Sequence, residues 1–241
     1  YAYGFDATTF DVSCGSVRTS CYSSRDLVTW TRRGDMPGIC HVLYNKKNRE
    51  YVALVYKRYG VTIGVYTSAD PVGPFKPRKD LSDPGGQGIG DFALFQDDDG
   101  AAYFIYNRFK GKIPERHSYI CRLDDDYYDV LPKTLTDFGE PVEGFWMVKH
   151  RNTYYLLGSG LWSYGVGDNF YFTAPSPLGP WKNRGLFVPP GSKTFNSQTF
   201  QGFEVHGKKG TAYVFVGHRW NALAPDNGKG GFTSASSIFL P

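Results

Sequence analysis

The sequence predicts an all-β protein, a five-bladed β-propeller whose first blade is incomplete at the N-terminus. Three observations predict it: apolar runs that recur at a long, regular spacing, a turn phrase that returns after each pair of runs, and a composition rich in aromatics and glycine. The 241 residues include 18 Tyr, 18 Phe, 29 Gly and 15 Pro, and aromatics make up 17% of the chain. Aromatic side chains fit the half-buried surface of a pleated sheet, and Gly and Pro serve tight turns, so strands are favoured over helices. Such a length is ordinary for one all-β domain, and residues 1–241 are expected to form a single one.

In chain order, Tyr1-Ala-Tyr-Gly4 reads as the second strand of a hairpin, which places the inner strand of the first blade upstream of residue 1. No secretory signal is visible, but the chain starts with Tyr and not Met, which places its N-terminus upstream, so the absent signal decides nothing and an extracellular or secretory location is the expectation. Cys21-Tyr-Ser-Ser-Arg-Asp-Leu-Val-Thr-Trp30 is the first copy of the turn phrase: a strand, a turn, then a residue that plugs between neighbouring sheets. Four hairpins follow, pairing residues 40–44 with 51–56, 92–95 with 102–106, 145–148 with 153–157 and 199–203 with 212–216. Polar turns join them at 45–50, 97–100, 150–152 and 206–210. The phrase returns as Tyr66-Thr-Ser-Ala-Asp-Pro-Val-Gly-Pro-Phe75 and Phe172-Thr-Ala-Pro-Ser-Pro-Leu-Gly-Pro-Trp181, and more loosely as Cys121-Arg-Leu-Asp-Asp-Asp-Tyr-Tyr-Asp-Val130. Trp30 and Trp181 are accordingly expected in the core. The unit is a four-stranded sheet repeated about every 50–60 residues, a period that a two-sheet sandwich does not predict.

The formal charge of +4 is scattered over short groups such as Arg32-Arg33, Lys46-Lys47 and Lys208-Lys209. No long basic stripe exists, which argues for a solvated surface and against a nucleic-acid partner. No apolar run approaches the roughly 20 residues of a spanning helix, so no membrane partner is expected either. A monomer is expected. Cys14, Cys21, Cys40 and Cys121 lack the Cys-x-x-Cys spacing of a zinc site. Four cysteines allow three disulfide pairings, and a Cys14–Cys21 bridge belongs to one of them.

Inner strands of a propeller line its central channel, and their ends open onto an axial pocket. Aligning the hairpins on their turns puts Gly38, Asp91, Glu143 and Gln198 at the heads of four inner strands. Two carboxylates at a pocket suit glycosidic bond cleavage, one donating a proton to the leaving oxygen. Acids beside Gly90 and Gly144 also suit turn capping, and position alone does not separate the two readings. Trp162, Tyr164, Trp220 and Trp146 lie on or just after inner-strand hairpins, where their faces can stack on a sugar ring, and Arg219 can bond its hydroxyls. No metal or cofactor is expected: His218 alone has no metal-ligand spacing, and Asp97-Asp98-Asp99-Gly100 lacks the remaining ligands of a calcium loop and reads as a hairpin turn.

Six phrases resemble the galactan 1,3-β-galactosidase (exo-β-1,3-galactanase) branch of glycoside hydrolase family 43. They are Ser20-Cys-Tyr-Ser-Ser-Arg-Asp-Leu-Val-Thr-Trp30, Leu94-Phe-Gln-Asp-Asp-Asp-Gly100, Arg122-Leu-Asp-Asp-Asp-Tyr-Tyr-Asp-Val130, Val148-Lys-His150, Pro177-Leu-Gly-Pro-Trp181 and Gly217-His-Arg-Trp220. The resemblance implies a five-bladed propeller that inverts the anomeric centre and releases galactose from β-1,3-galactan. It implies Glu143 as general acid, Asp91 as the group that orients that acid and holds its pKa up by like-charge repulsion, and Gln198 where other members carry an Asp base. A neutral amide positions water but hardly deprotonates it, which points to an oxocarbenium-like transition state with a late-attacking water. Some family members hold an axial calcium near a histidine.

Departures from the family pattern are equally visible. Gly38-Ile-Cys40 stands where the family has a Glu followed by Arg-Pro, and Gly144-Phe145 replaces Ala-Pro after the acid. The loop after Ser159 is remodelled as Gly160-Leu-Trp-Ser-Tyr-Gly-Val-Gly-Asp168. The loss at Gly38 favours a second reading, a catalytically impaired propeller that binds glycans without hydrolysis; Asp91 and Glu143 together favour the enzyme. A protein-interaction propeller, the third reading, predicts exposed aromatic patches away from the axis.

Overall fold

A computed structural model describes residues 1–5, 19–58, 61–112, 116–162, 165, 167–221 and 233–240. They form five antiparallel sheets, each a meander in which consecutive strands pair. The first contains β1 (Ala2–Phe5), β2 (Thr19–Ser23) and β3 (Thr31–Met36). The second contains β4 (Cys40–Asn45), β5 (Glu50–Arg58), β6 (Thr62–Ser68) and β7 (Lys76–Asp80), and the third β8 (Ile89–Gln96), β9 (Ala102–Arg108), β10 (Ser118–Arg122) and β11 (Thr136–Asp137). The fourth contains β12 (Val142–His150), β13 (Thr153–Gly160), β14 (Phe170–Ala174) and β15 (Lys182–Leu186), and the fifth β16 (Gln198–Gly207), β17 (Gly210–Asn221) and β18 (Thr233–Leu240). All four expected hairpins form, in the order read from the sequence.

The sheets pack radially. Strand β4 lies beside β8, β8 beside β12 and β12 beside β16. Phe200 of β16 then reaches His41 of β4, with ring centroids 6.3 Å apart, so the four strands surround one axis. Apolar residues collect between successive sheets and not in one central slab. Cys21, Met36, Ala53 and Val55 fill the space between the first and second sheets. Val52, Leu54, Ile63, Phe92, Phe104 and Val130 fill the next, and Ile105, Ile120, Phe145, Leu156 and Phe172 the one after. A sandwich would have a single interface; this chain is an all-β propeller.

The five blades expected from the sequence need a correction. Among the described residues four sheets are headed by an inner strand, namely β4, β8, β12 and β16, whereas β1–β2–β3 has three strands and none in that place. The fifth sheet also has three strands, not the expected four.

The turn phrase behaves as expected wherever a preceding sheet offers a face. Phe75 packs on the first interface, Val130 on the second, and Trp181 on Phe138 in the third, at 5.9 Å between rings. Trp30 departs from its expected core position and is 39% exposed. Its plug would need a sheet preceding β1–β2–β3, and no core cluster of described residues lies there, so its indole N–H instead bonds Leu27 O at 3.2 Å.

Polar staples complete the inter-sheet packing. The turn after β8 directs Asp97 to the Lys149 ammonium at 2.7 Å and to the Tyr154 hydroxyl at 2.5 Å, tying the third sheet to the fourth. That carboxylate therefore serves a structural link in a hairpin turn. Cys21, Cys40 and Cys121 are buried thiols; Cys14 lies outside the described residues.

Candidate active site

The inner strands do not run as regular ladders. Pairing slips between Ile89 and Phe92 in β8, between Glu143 and Trp146 in β12, and between Thr199 and Gln201 in β16. Strand β4, where Gly38 precedes the first residue, keeps unbroken register from Cys40 to Asn45. A bulge breaks the two-residue alternation of side chains and re-aims the residue at the break. Asp91, Glu143 and Gln198 each lie at or next to such a break, within the first three residues of their strands.

Each break is braced. The Tyr56 hydroxyl donates to Gly90 O at 2.7 Å and accepts from the Phe92 N–H at 3.1 Å, fixing the peptides on both sides of Asp91. Ser159 Oγ donates to Glu143 O at 2.9 Å. Gly144 has φ +61°, and a Cβ there would stand 2.1 Å from Thr199 O, so β12 and β16 approach as only glycine allows. The result is direct contact between two of the three candidates: Gln198 Nε2 donates to Glu143 Oε1 at 2.7 Å. Gln198 is buried, and Glu143 and Asp91 are half-buried.

One residue near the site, His41, was not singled out by the sequence. His41 of β4 packs on Phe92 with centroids 4.9 Å apart, and Phe200 stacks on His218 at 3.9 Å. Burial pushes the pKa of both imidazoles down to about 4, against a hydrogen bond from His41 to the Phe92 backbone that works the other way. His218 faces an aromatic ring, and among the described residues no three His, Cys, Asp or Glu side chains group as metal ligands. His41 was legible only as a strand residue, because nothing in one strand shows what faces it across the axis.

These histidines fix the sign of a pH effect. The unfolded chain takes up protons near pH 6.5 while the folded state resists until about pH 4. Stability is therefore fully present above pH 6.5 and falls as pH drops towards 4. Urea midpoints measured between pH 7.5 and 4.5 should decrease, and the decrease should shrink in His218→Phe; a flat profile in the wild type would contradict the assignment.

The aromatic candidates divide. Trp162 is half-buried, close to Phe170 at 6.2 Å, and held by the glycines of its own loop: a Cβ on Gly160 or Gly167 would meet its indole at 2.7 or 2.4 Å. Trp146 lies against Gly202, where a Cβ would meet its ring at 2.3 Å. With Leu157, Phe187, Phe195 and Tyr213 it lines a cavity of about 380 Å³ between the fourth and fifth sheets, whose walls include none of Asp91, Glu143 or Gln198. Trp146 thus lies at this inter-sheet cavity, next to the register slip that follows Glu143. Arg219 is exposed and its Nε donates to Phe195 O at 3.2 Å, a backbone contact. Tyr164 and the Trp220 side chain lie outside the described residues.

A short turn, α1 (Lys193–Asn196), immediately precedes Ser197 and Gln198. All four of its residues have positive φ, from 49° to 58°, though none is glycine. Left-handed backbone costs about 1–2 kcal/mol per residue with a Cβ, so surrounding bonds must over-determine it. Asp168 accepts from the Lys193 and Gly191 N–H groups at 2.6 and 2.7 Å. Asn169 donates its N–H to Thr194 Oγ1 and its Nδ2 to Ser197 O, both at 2.9 Å.

With this geometry in view, comparison with known proteins is informative. The family model described as glycosyl hydrolases family 43 matches residues 3–161. A β-D-galactofuranosidase of Aspergillus niger is 26% identical over 232 residues, covering 82% of this chain and 64% of that protein. A solved family 43 β-1,3-galactosidase superimposes with TM-score 0.78 at 27% identity over 99% of this chain and 53% of its own. An exo-β-1,3-galactanase from Phanerochaete chrysosporium, solved with galactose, gives 0.74 at 27% identity over 93% of this chain and 53% of its own. The chain thus spans somewhat over half the length of the relatives it matches.

Proposed function

The chain belongs to glycosyl hydrolases family 43, and from that premise we propose that it is a glycoside hydrolase releasing galactose from the end of a β-1,3-linked galactan with inversion. The observation that carries this reading is the 2.7 Å contact between Gln198 and Glu143, made across the heads of two inner strands, with Asp91 on the next. The galactose-related names of the neighbouring structures support the sugar.

In this reading Glu143 is the general acid, protonating the glycosidic oxygen as the bond to the anomeric carbon breaks. Asp91, on the adjacent strand, orients it and disfavours a second negative charge nearby. Gln198 contributes no base. Its Nε2 donates to Glu143, and its amide carbonyl oxygen is an acceptor, the kind of group that holds the attacking water in line. Such a site works on a late, oxocarbenium-like transition state, where the electrophile needs a placed water more than a deprotonated one. Trp162 offers a ring face, and the missing acid at Gly38 removes one polar contact from the opposite inner strand. The reaction so written draws on side chains and water alone.

The test is direct. Incubated with β-1,3-galactan, the protein should release galactose first seen by proton NMR as the α-anomer, with β-galactoside probes cleaved in preference to α-arabinofuranosides. Initial β-anomer would overturn inversion, and preferential arabinofuranoside cleavage would overturn the sugar. Binding of galactan without any release would favour the glycan-binding reading.

A further inference from the structure

Resting on the assignment above of Glu143 and Gln198 as the reacting pair, we propose that Asp168 and Asn169 are positioning residues that hold Gln198 against Glu143 through the left-handed turn α1. Gln198 begins β16 two residues after that turn, so the turn sets where its side chain starts. Backbone of this kind persists only when its surroundings fix it. The fixing bonds come from the loop that leaves β13. The Asp168 carboxylate spans the N–H groups of Gly191 and Lys193, and Asn169 grips Thr194 Oγ1 and Ser197 O. Ser197 Oγ closes the turn on Thr194 O at 2.6 Å. Asn169, Thr194 and Ser197 are wholly buried, so water does not compete for the bonds Asn169 and Ser197 make, whereas the two Asp168 bonds are exposed.

The same loop is anchored at its other end to the acid. Ser159, in the last turn of β13 before the loop, donates to the Glu143 backbone, and Asp168 and Asn169 end the loop just before β14. Its first residues thus brace the Glu143 backbone, and its last, Asp168 and Asn169, brace the turn that leads to Gln198. Displacing one member of a reacting pair by about 1 Å costs on the order of a hundredfold in rate.

The measurement is a carbon-13 NMR titration of the Glu143 carboxyl in the whole chain, paired with kcat and KM on β-1,3-galactan. An amide N–H on a carboxylate favours the charged form, so Gln198→Ala should raise the Glu143 pKa. Asp168→Asn should raise it in the same direction, with kcat down about tenfold and KM within about twofold. The double variant should show no further shift, and Asp168→Glu should recover part of the loss. The other titratable groups on the neighbouring strands, Asp91, His41 and His218, are unaltered in every variant. A Glu143 titration that stays put in Asp168→Asn, or shifts that add in the double variant, would overturn the proposal, as would no shift in Gln198→Ala. If Asp168→Asn does not fold, Asn169→Leu, which removes the bond to Ser197 O, is read in the same way. Because the titration needs no turnover, it reports on the Asp168–Gln198 link even where Glu143→Gln still releases sugar, the outcome that would sink the site assignment itself.

Discussion

Glu143→Gln is expected to lower kcat for galactose release from β-1,3-galactan by about a thousandfold while leaving KM and the melting temperature close to wild type. The substitution keeps shape and keeps an oxygen to accept from Gln198 Nε2, so the 2.7 Å contact and the bulge it bridges survive. What disappears is the transferable proton. That loss should depend on the leaving group: a galactan alkoxide needs protonation, whereas dinitrophenolate departs largely unaided, so the deficit on a dinitrophenyl β-galactoside should shrink to about tenfold or less. Equal deficits on both substrates would mean that Glu143 acts by holding the site together and not as an acid. Unchanged turnover on galactan would remove Glu143 from the chemistry altogether.

The strand heads that carry this prediction were legible because a propeller repeats: one hairpin, recognised four times, fixes equivalent positions without any knowledge of the partner strands. The same regularity hid what makes the positions useful. The only local signal of the slips was a glycine inside each strand, Gly90 in Ile89-Gly-Asp-Phe92 and Gly144 in Glu143-Gly-Phe-Trp146, a residue that bulges favour but that turn capping equally explains. Trp146 lies directly after one such slip and lines the cavity between the fourth and fifth sheets. Trp30 was misread for a different reason: its phrase is sound, but a plug is buried only where another sheet supplies the opposite wall.

The turn before Gln198 was the least legible feature. Left-handed backbone is ordinarily read from Gly or Asn, and Lys193-Thr-Phe-Asn196 offers only one such residue. Its conformation is imposed from outside by Asp168 and Asn169, some 25 residues earlier in the chain, as the separations of their hydrogen bonds show. The remodelled loop after Ser159 was noticed as a departure from the family, yet its contribution to Gln198 exists only in three dimensions.

Gly144→Ala should have the largest effect of any single methyl added at the site. The new Cβ would lie 2.1 Å from Thr199 O and 3.1 Å from its carbon, against backbone that cannot swing aside as a side chain would, and φ of +61° penalises any L residue there. Strand β12 must then move off β16, opening the gap that the Glu143–Gln198 bond closes. The expected cost is about 2–4 kcal/mol of stability, from the combined clash and backbone strain, and a fall in kcat of a hundredfold or more from the displaced pair. Gly139 supplies the comparison: its φ is +81°, but nothing lies within 4 Å of its Cβ position. Gly139→Ala should therefore cost only about 1 kcal/mol, the conformational part alone, and retain full activity. Urea denaturation and galactan turnover on the two variants separate strain from close approach. If Gly144→Ala lost no more activity than Gly139→Ala, the tight seam between β12 and β16 would not be what sets the reacting pair, and the catalytic role would have to rest on Glu143 without its neighbour.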